Sequence, residues 1–130
     1  MPELVRLVSI GAGGCCGALL RYLLSGWIQG KSPSPFFPLG TMGVNMIGCF
    51  LIGLMTMLVE TRAMFSTEMR SFIFIGLLGA FTTFSTFGSE TFYLLRDGRF
   101  GFAVLNSVSQ VIVGLLMVWL GRIIAVIIWR

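Results

Sequence analysis

The residues of this chain that could do chemistry lie inside apolar runs. Residues 82–91 hold Thr82, Thr83, Ser85, Thr86, Ser89 and Thr91, interleaved with Phe84 and Phe87. Such a run lowers helix propensity, because hydroxyls compete for backbone groups. With Gly76 and Gly79 just ahead, a membrane helix can break there, and carbonyls freed at that depth make a site for a hard cation. The other reading is ordinary Thr/Ser packing. Phe84 and Phe87 are neighbours on one helix face; they either pack in a core or turn electropositive ring edges toward an anion. Asn45 lies about a turn inside the run that opens Gly40-Thr41, and its amide is either interhelical glue or a pore-lining donor. Glu90 is the one acid well inside an apolar run. It reads as a proton-coupling group, a partner of Arg21 or Arg96, or a carboxylate at the interface. Arg21 itself snorkels to the interface or faces a polar vestibule. Asn106 and Gln110 share a helix face that continues as Gly114 and Val118, half of a polar stripe.

The rest of the composition says which chemistry these residues do not do. The chain has no His and five Asp+Glu, which removes most metal-site and acid–base chemistry. Cys15, Cys16 and Cys49 sit in apolar runs and read as small buried hydrophobes, neither a disulfide framework nor a zinc site. With no nucleophile–base pair to assemble, the chain is not expected to be an enzyme. Gly11-Ala-Gly-Gly-Cys-Cys-Gly17 lacks the strand context of a dinucleotide loop. Its Gly13-x-x-x-Gly17 spacing instead predicts close helix–helix packing. The net charge of +4 comes from basic residues scattered at the ends of apolar runs, so nucleic acid is not an expected partner.

The elements that must position these residues follow from hydrophobicity. Of 130 residues, 56% are hydrophobic and 11% charged, against about 25% charged in a soluble domain. A bilayer, not water, is the expected solvent. Apolar stretches run over about residues 7–28, 40–59, 72–95 and 101–128, each long enough to span. They predict a single four-helix transmembrane domain, all-α because lipid tolerates no open strand edge. The first stretch lacks a small-x-small cleavage site and is read as a retained span rather than a signal peptide. Residues 29–38, rich in Pro and Ser, form a loop; 60–70 hold a short interfacial helix; 96–99 make a tight turn. Trp27, Tyr93 and Trp129 fall near span ends as belt anchors. With four spans, one side of the membrane carries Arg6, Arg62, Arg70, Arg122 and Arg130, and the other Arg21, Lys31, Arg96 and Arg99. That is no real excess under the positive-inside rule. Either a fixed orientation is hidden in small numbers, or the chain inserts both ways and pairs with itself.

Gly40-Thr41-x-x-x-Asn45, together with Gly79-x-x-Thr-Thr-Phe-Ser-Thr-Phe87 and Glu90 downstream, closely resembles the CrcB/Fluc fluoride channel family. The similarity covers the whole chain. It implies four transmembrane helices with the third broken near its middle, assembled as an antiparallel dual-topology homodimer in the inner or plasma membrane. It implies two fluoride-selective pores along the dimer interface, passive export of toxic fluoride, and a buried structural Na⁺ at the centre. Carried over by position, Asn45 is a side-chain donor on the fluoride path and Phe84 and Phe87 supply ring edges. Gly79 and Thr82 give backbone carbonyls to Na⁺, and Thr41, Thr83 and Ser85 are further polar contacts. The chain departs from the family at Gly114 and Val118, where a hydroxyl is expected on the fourth helix. A small antiparallel drug transporter has similar proportions but needs a carboxylate in its first helix, and no Asp or Glu occurs from Val5 to Val59. A non-transporting scaffold subunit is the other alternative.

Overall fold

A computed structural model describes residues 2–129. Four helical stretches are long and apolar enough to cross a membrane: Pro2–Gln29, Leu39–Arg62, Thr67–Arg96 and Phe100–Ile128. The first two are α1 and α2. The third stretch is two helices, α3 over residues 67–81 and α4 over Phe84–Arg96; the fourth is α5, Phe100–Ile128. Each stretch reaches a few residues past the apolar run that marks it, since backbone hydrogen bonding continues into the polar flanks. The stretch at 60–70 holds no separate helix. Instead α2 runs to Arg62, Ala63 closes it in a left-handed conformation, and Ser66 caps the first turn of α3 by accepting from the Met69 N–H. The loop ends are tied as their composition suggests. Gln29 donates to the Phe37 carbonyl (3.0 Å) and accepts from the Gly40 N–H (2.9 Å), closing the Pro-rich loop onto the start of α2. Gly98, at φ +72°, makes the turn between α4 and α5.

Partners are not neighbours in sequence: α1 packs chiefly on α3, and α2 on α5. Glycine decides both seams. Gly13 and Gly17 are buried, and a Cβ at either would run into the Phe72 or Leu77 carbonyl oxygen. Gly76 meets the Ile10 carbonyl from the other side. Here the chain winds in wider turns, π-helical over Ser71–Leu78, a form that costs stability and is rare beyond one turn. Gly53 and Gly121 do the same for α2 and α5, facing Val118 and Phe50 carbonyls. Small residues that let backbones touch are the main source of helix association in lipid. Replacing Gly17 with Leu should therefore lower thermal stability in detergent by about 3 kcal/mol through overpacking. Gly14→Leu, where a Cβ has nothing within 4 Å, should leave it unchanged.

The cysteines depart from the buried reading. Cys15 and Cys16 are exposed and Cys49 is half-buried. On α1 the glycines take the packed face, so Cys15 and Cys16 are turned outward. Trp119, 63% exposed, likewise faces outward.

Candidate ion pathway

The third span breaks where its hydroxyl run begins. Thr82 and Thr83 are extended (φ −90°, ψ 159° and φ −152°, ψ 115°). In an unbroken helix the Thr83 N–H would go to the Gly79 carbonyl. Here it goes to Asn45 Oδ1 at 2.9 Å. The last carbonyls of α3, Gly79 among them, are left without the donors that a continuing helix supplies. On the far side, Thr83 is the N-cap of α4, its hydroxyl accepting from the Thr86 N–H at 3.3 Å and donating to Thr86 Oγ1 at 2.9 Å. Thr82 donates its hydroxyl back to Leu78 O at 3.0 Å. The negative end of one helix dipole and the positive end of another thus flank one break.

Asn45 fixes this arrangement, and the amide orientations follow from a backbone donor. Because Thr83 N–H must meet an oxygen, Oδ1 faces it and Nδ2 faces the Thr83 carbonyl (3.2 Å) and Gln110 Oε1 (3.0 Å). Gln110 must then point Nε2 away, and that nitrogen is buried with no partner. Both Asn45 N–H groups are therefore engaged within the chain. The uncommitted amide donor is that of Gln110. A cavity of ≈ 330 Å³ opens here, lined among others by Asn45, Gly79, Thr82, Thr83, Phe84, Phe87 and Gln110. The two rings lie 5.4 Å apart at 59°, on one face as their spacing predicts, and Phe84 is 82% exposed. Ser85 is exposed beside them, its hydroxyl 3.5 Å from that of Thr83.

A second cavity, ≈ 550 Å³, lies toward the end of the molecule that carries the 30–38 and 97–99 loops, and it is lined by Thr41, Glu90 and Arg99, among others. Thr41 donates to Glu90 Oε1 at 2.6 Å, and Glu90 Oε2 is buried without a partner. Glu90 pairs with neither Arg21 nor Arg96: Arg96 is 2.9 Å from Asp97, and Arg21, half-buried on α1, makes no ion pair among the described residues. The walls of the two cavities adjoin along α2 and α4. Thr41 and Asn45 are one turn apart on α2, and Glu90 and Phe87 one turn apart on α4, so each pair spans the step from one cavity to the next.

Asn106 departs from the stripe that its spacing suggests. It is fully buried, donating to Thr91 Oγ1 at 2.9 Å, and lines neither of these cavities. At that level α4 still lies opposite α5, whereas one turn deeper, at Gln110, α4 has reached its start and leaves the gap. Gly48, whose added Cβ would strike the Thr82 methyl, and Cys49 also line the first cavity. Nothing in their types marks them; helical spacing from Asn45 is the one signal that could have.

A family profile described as CrcB-like protein, Camphor Resistance (CrcB), matches residues 8–122. A protein of Methanosarcina acetivorans named fluoride-specific ion channel FluC 1 is 46% identical over 92% of this chain and 89% of its own. One of Methanosarcina barkeri named fluoride-specific ion channel FluC 3 is 44% identical over the same shares. A third, of Methylobacillus flagellatus, named fluoride-specific ion channel FluC, is 43% identical over 89% of this chain and 91% of its own.

Proposed function

Because the chain belongs to the CrcB-like family, whose relatives are named ion channels and not enzymes, we propose that it is a fluoride-selective channel that lets fluoride leave the cell passively. The observation that carries this reading is the cavity at the break. In one place it brings the ring pair, the uncommitted Gln110 Nε2 and the N-terminal end of α4. Fluoride is small and strongly hydrated, so it enters a low-dielectric path only where donors and positive edges replace its water. The cavity offers both, with the positive dipole end of α4 added. Thr41, Thr83 and Ser85 are further hydroxyls along the route, and Asn45 acts by holding the break open and turning Gln110 toward the cavity.

The working unit is an antiparallel homodimer with two pores. What supports it is the face around the break: Phe84, Ser85, Thr86 and Ser89 are all exposed well inside a 30-residue span. Hydroxyls facing lipid are poorly satisfied at such depth, and a second copy of this chain is the natural cover. The near-even charge count fits insertion in both orientations, and the chain is placed in the plasma or inner membrane.

The carbonyl end of α3 fits a sodium ion, because Asn45 diverts the one N–H that would have satisfied Gly79 and hard cations take oxygen ligands. Gly79 and Thr82 would hold it through their backbone oxygens. When bound, it supplies a fixed positive charge that offsets part of the anion's cost in low dielectric. Since Thr82 contributes through its backbone, Thr82→Ala should cost about 1 kcal/mol of stability, for the lost bond to Leu78, and reduce flux only modestly.

Purified protein in liposomes loaded with fluoride or chloride tests the reading, with efflux triggered by a potassium ionophore and followed by ion-selective electrodes. Fast fluoride release without chloride release is expected. Equal release of both, or release of neither from folded protein, would overturn it.

A further inference from the structure

At the end of the molecule that carries the 30–38 and 97–99 loops, the structure places three cations on aromatic rings. Lys31 Nζ is 3.9 Å from the Trp27 ring centre, Arg96 Cζ 4.8 Å from that of Tyr93, and Arg99 Cζ 3.3 Å from that of Phe36. All three belong to the 30–38 loop, the 97–99 turn or the helix ends beside them. They differ in compensation. Arg96 is neutralised by Asp97 at 2.9 Å, whereas Arg99 and Lys31 have no carboxylate partner among the described residues. A ring holds a guanidinium in place without cancelling its charge.

Of the three, only Arg99 lines the cavity whose other walls include Glu90, Asp97, Thr41 and Phe36. Its position is set by the turn, where the Arg99 N–H bonds the Leu94 carbonyl at 2.8 Å. It is also set by the clasp between the loop and the first turn of α5, in which Phe37 stacks edge-on against Phe102 at 5.8 Å. The acids facing the same space are Glu90, bonded to Thr41 at 2.6 Å, and Asp97, already paired. An anion entering this cavity thus meets the Glu90 carboxyl at depth and one uncancelled cation near the rim.

We infer that Arg99, held by the Phe36 ring, is the residue that draws anions into the outer cavity and offsets the field of Glu90. The inference rests on the fluoride reading above. Its role is electrostatic, acting on entry rather than on passage between the rings. One half-buried charge such as Arg99, about 7 Å from an ion's path, changes local concentration about threefold at the dielectric constant of water. That effect fades as salt shortens the Debye length from about 20 Å or more to below about 8 Å.

The test is the initial fluoride efflux rate at low and high ionic strength, set with sodium gluconate, for wild type, Arg99→Gln, Arg99→Glu and Arg99→Lys. At low ionic strength Arg99→Gln should lose about threefold and Arg99→Glu more, with Arg99→Lys recovering most of the rate. At high ionic strength the four should converge. A loss that is the same at every salt concentration, or a lysine variant as slow as glutamine, would mean that Arg99 only holds the clasp. Equal rates for all four at low salt would also overturn the inference. If wild type itself conducts no fluoride, the functional reading has failed first, and this one with it.

Discussion

Phe84→Ile should reduce fluoride efflux at least about 100-fold, equivalent to about 2.7 kcal/mol of added barrier, while the protein still purifies as folded material. Both halves of that expectation come from one side chain's setting. Phe84 is 82% exposed on the single chain, so its removal hollows no core within that chain. It also lines the cavity at the break beside Phe87, at 5.4 Å, so its loss removes half of the ring pair. Isoleucine keeps apolar bulk but has no quadrupole with an electropositive edge. If the ring merely walls the path, isoleucine does that nearly as well, and efflux would stay near that of wild type. A bare anion deprived of a favourable edge in an apolar cavity has little to replace its hydration. Size-exclusion profile and helix content, measured on the same preparation, separate a blocked path from a damaged fold.

The second large effect is expected at Asn45, and it falls on the fold. Asn45→Ala strands the Thr83 N–H, the Thr83 carbonyl and Gln110 Oε1, all partners of one amide. Leaving buried polar groups unpaired costs about 1–3 kcal/mol each, so a total of about 4 kcal/mol is a moderate expectation. Against a typical net stability of about 5–15 kcal/mol, that should show as a large fall in melting temperature in detergent. Asn45→Asp separates the two duties of the amide. It keeps an oxygen for the Thr83 N–H but has no donor for the Thr83 carbonyl or for Gln110, whose amide must turn Nε2 inward to meet the carboxylate. That variant should fold better than the alanine form yet conduct poorly, its free donor consumed and a negative charge added beside the path. An aspartate variant that conducts normally would remove both Asn45 and the Gln110 donor from the mechanism.

These two residues also mark where the sequence was legible. The spans, the break at the hydroxyl run, the Phe84–Phe87 face and the Gly13–Gly17 seam depend on spacing within one stretch of chain, and all appear in the structure. Asn45's partners are 38 and 65 residues away, and no local pattern says which of several polar groups an amide will meet. Asn106 and Gln110 illustrate the same limit. Helical spacing put them on one face, but the cavity begins only where α4 starts, a boundary set by a different segment. Glu90 was offered two arginines as partners and took the Thr41 hydroxyl, because Arg96 is held at the rim by Asp97 and Tyr93. In the sequence Arg99 is one more basic residue at the end of an apolar run, since the ring beneath it comes from a loop more than sixty positions earlier.

The pairing of α1 with α3 and α2 with α5 has a consequence for how the protein is made. Helices inserted into a bilayer one after another do not assemble until their partners exist. When α2 enters the bilayer, the spans that carry Thr83 and Gln110 have not yet followed it. At a synthesis rate of about 5–20 residues per second, the Asn45 amide waits several seconds in lipid without its native partners. The first seam can close only after α3 arrives, and the second only after α5 does. A chain truncated after Arg96 should therefore insert and close the α1–α3 seam while α2 stays open to protease, with resistance of α2 gained only when α5 is present.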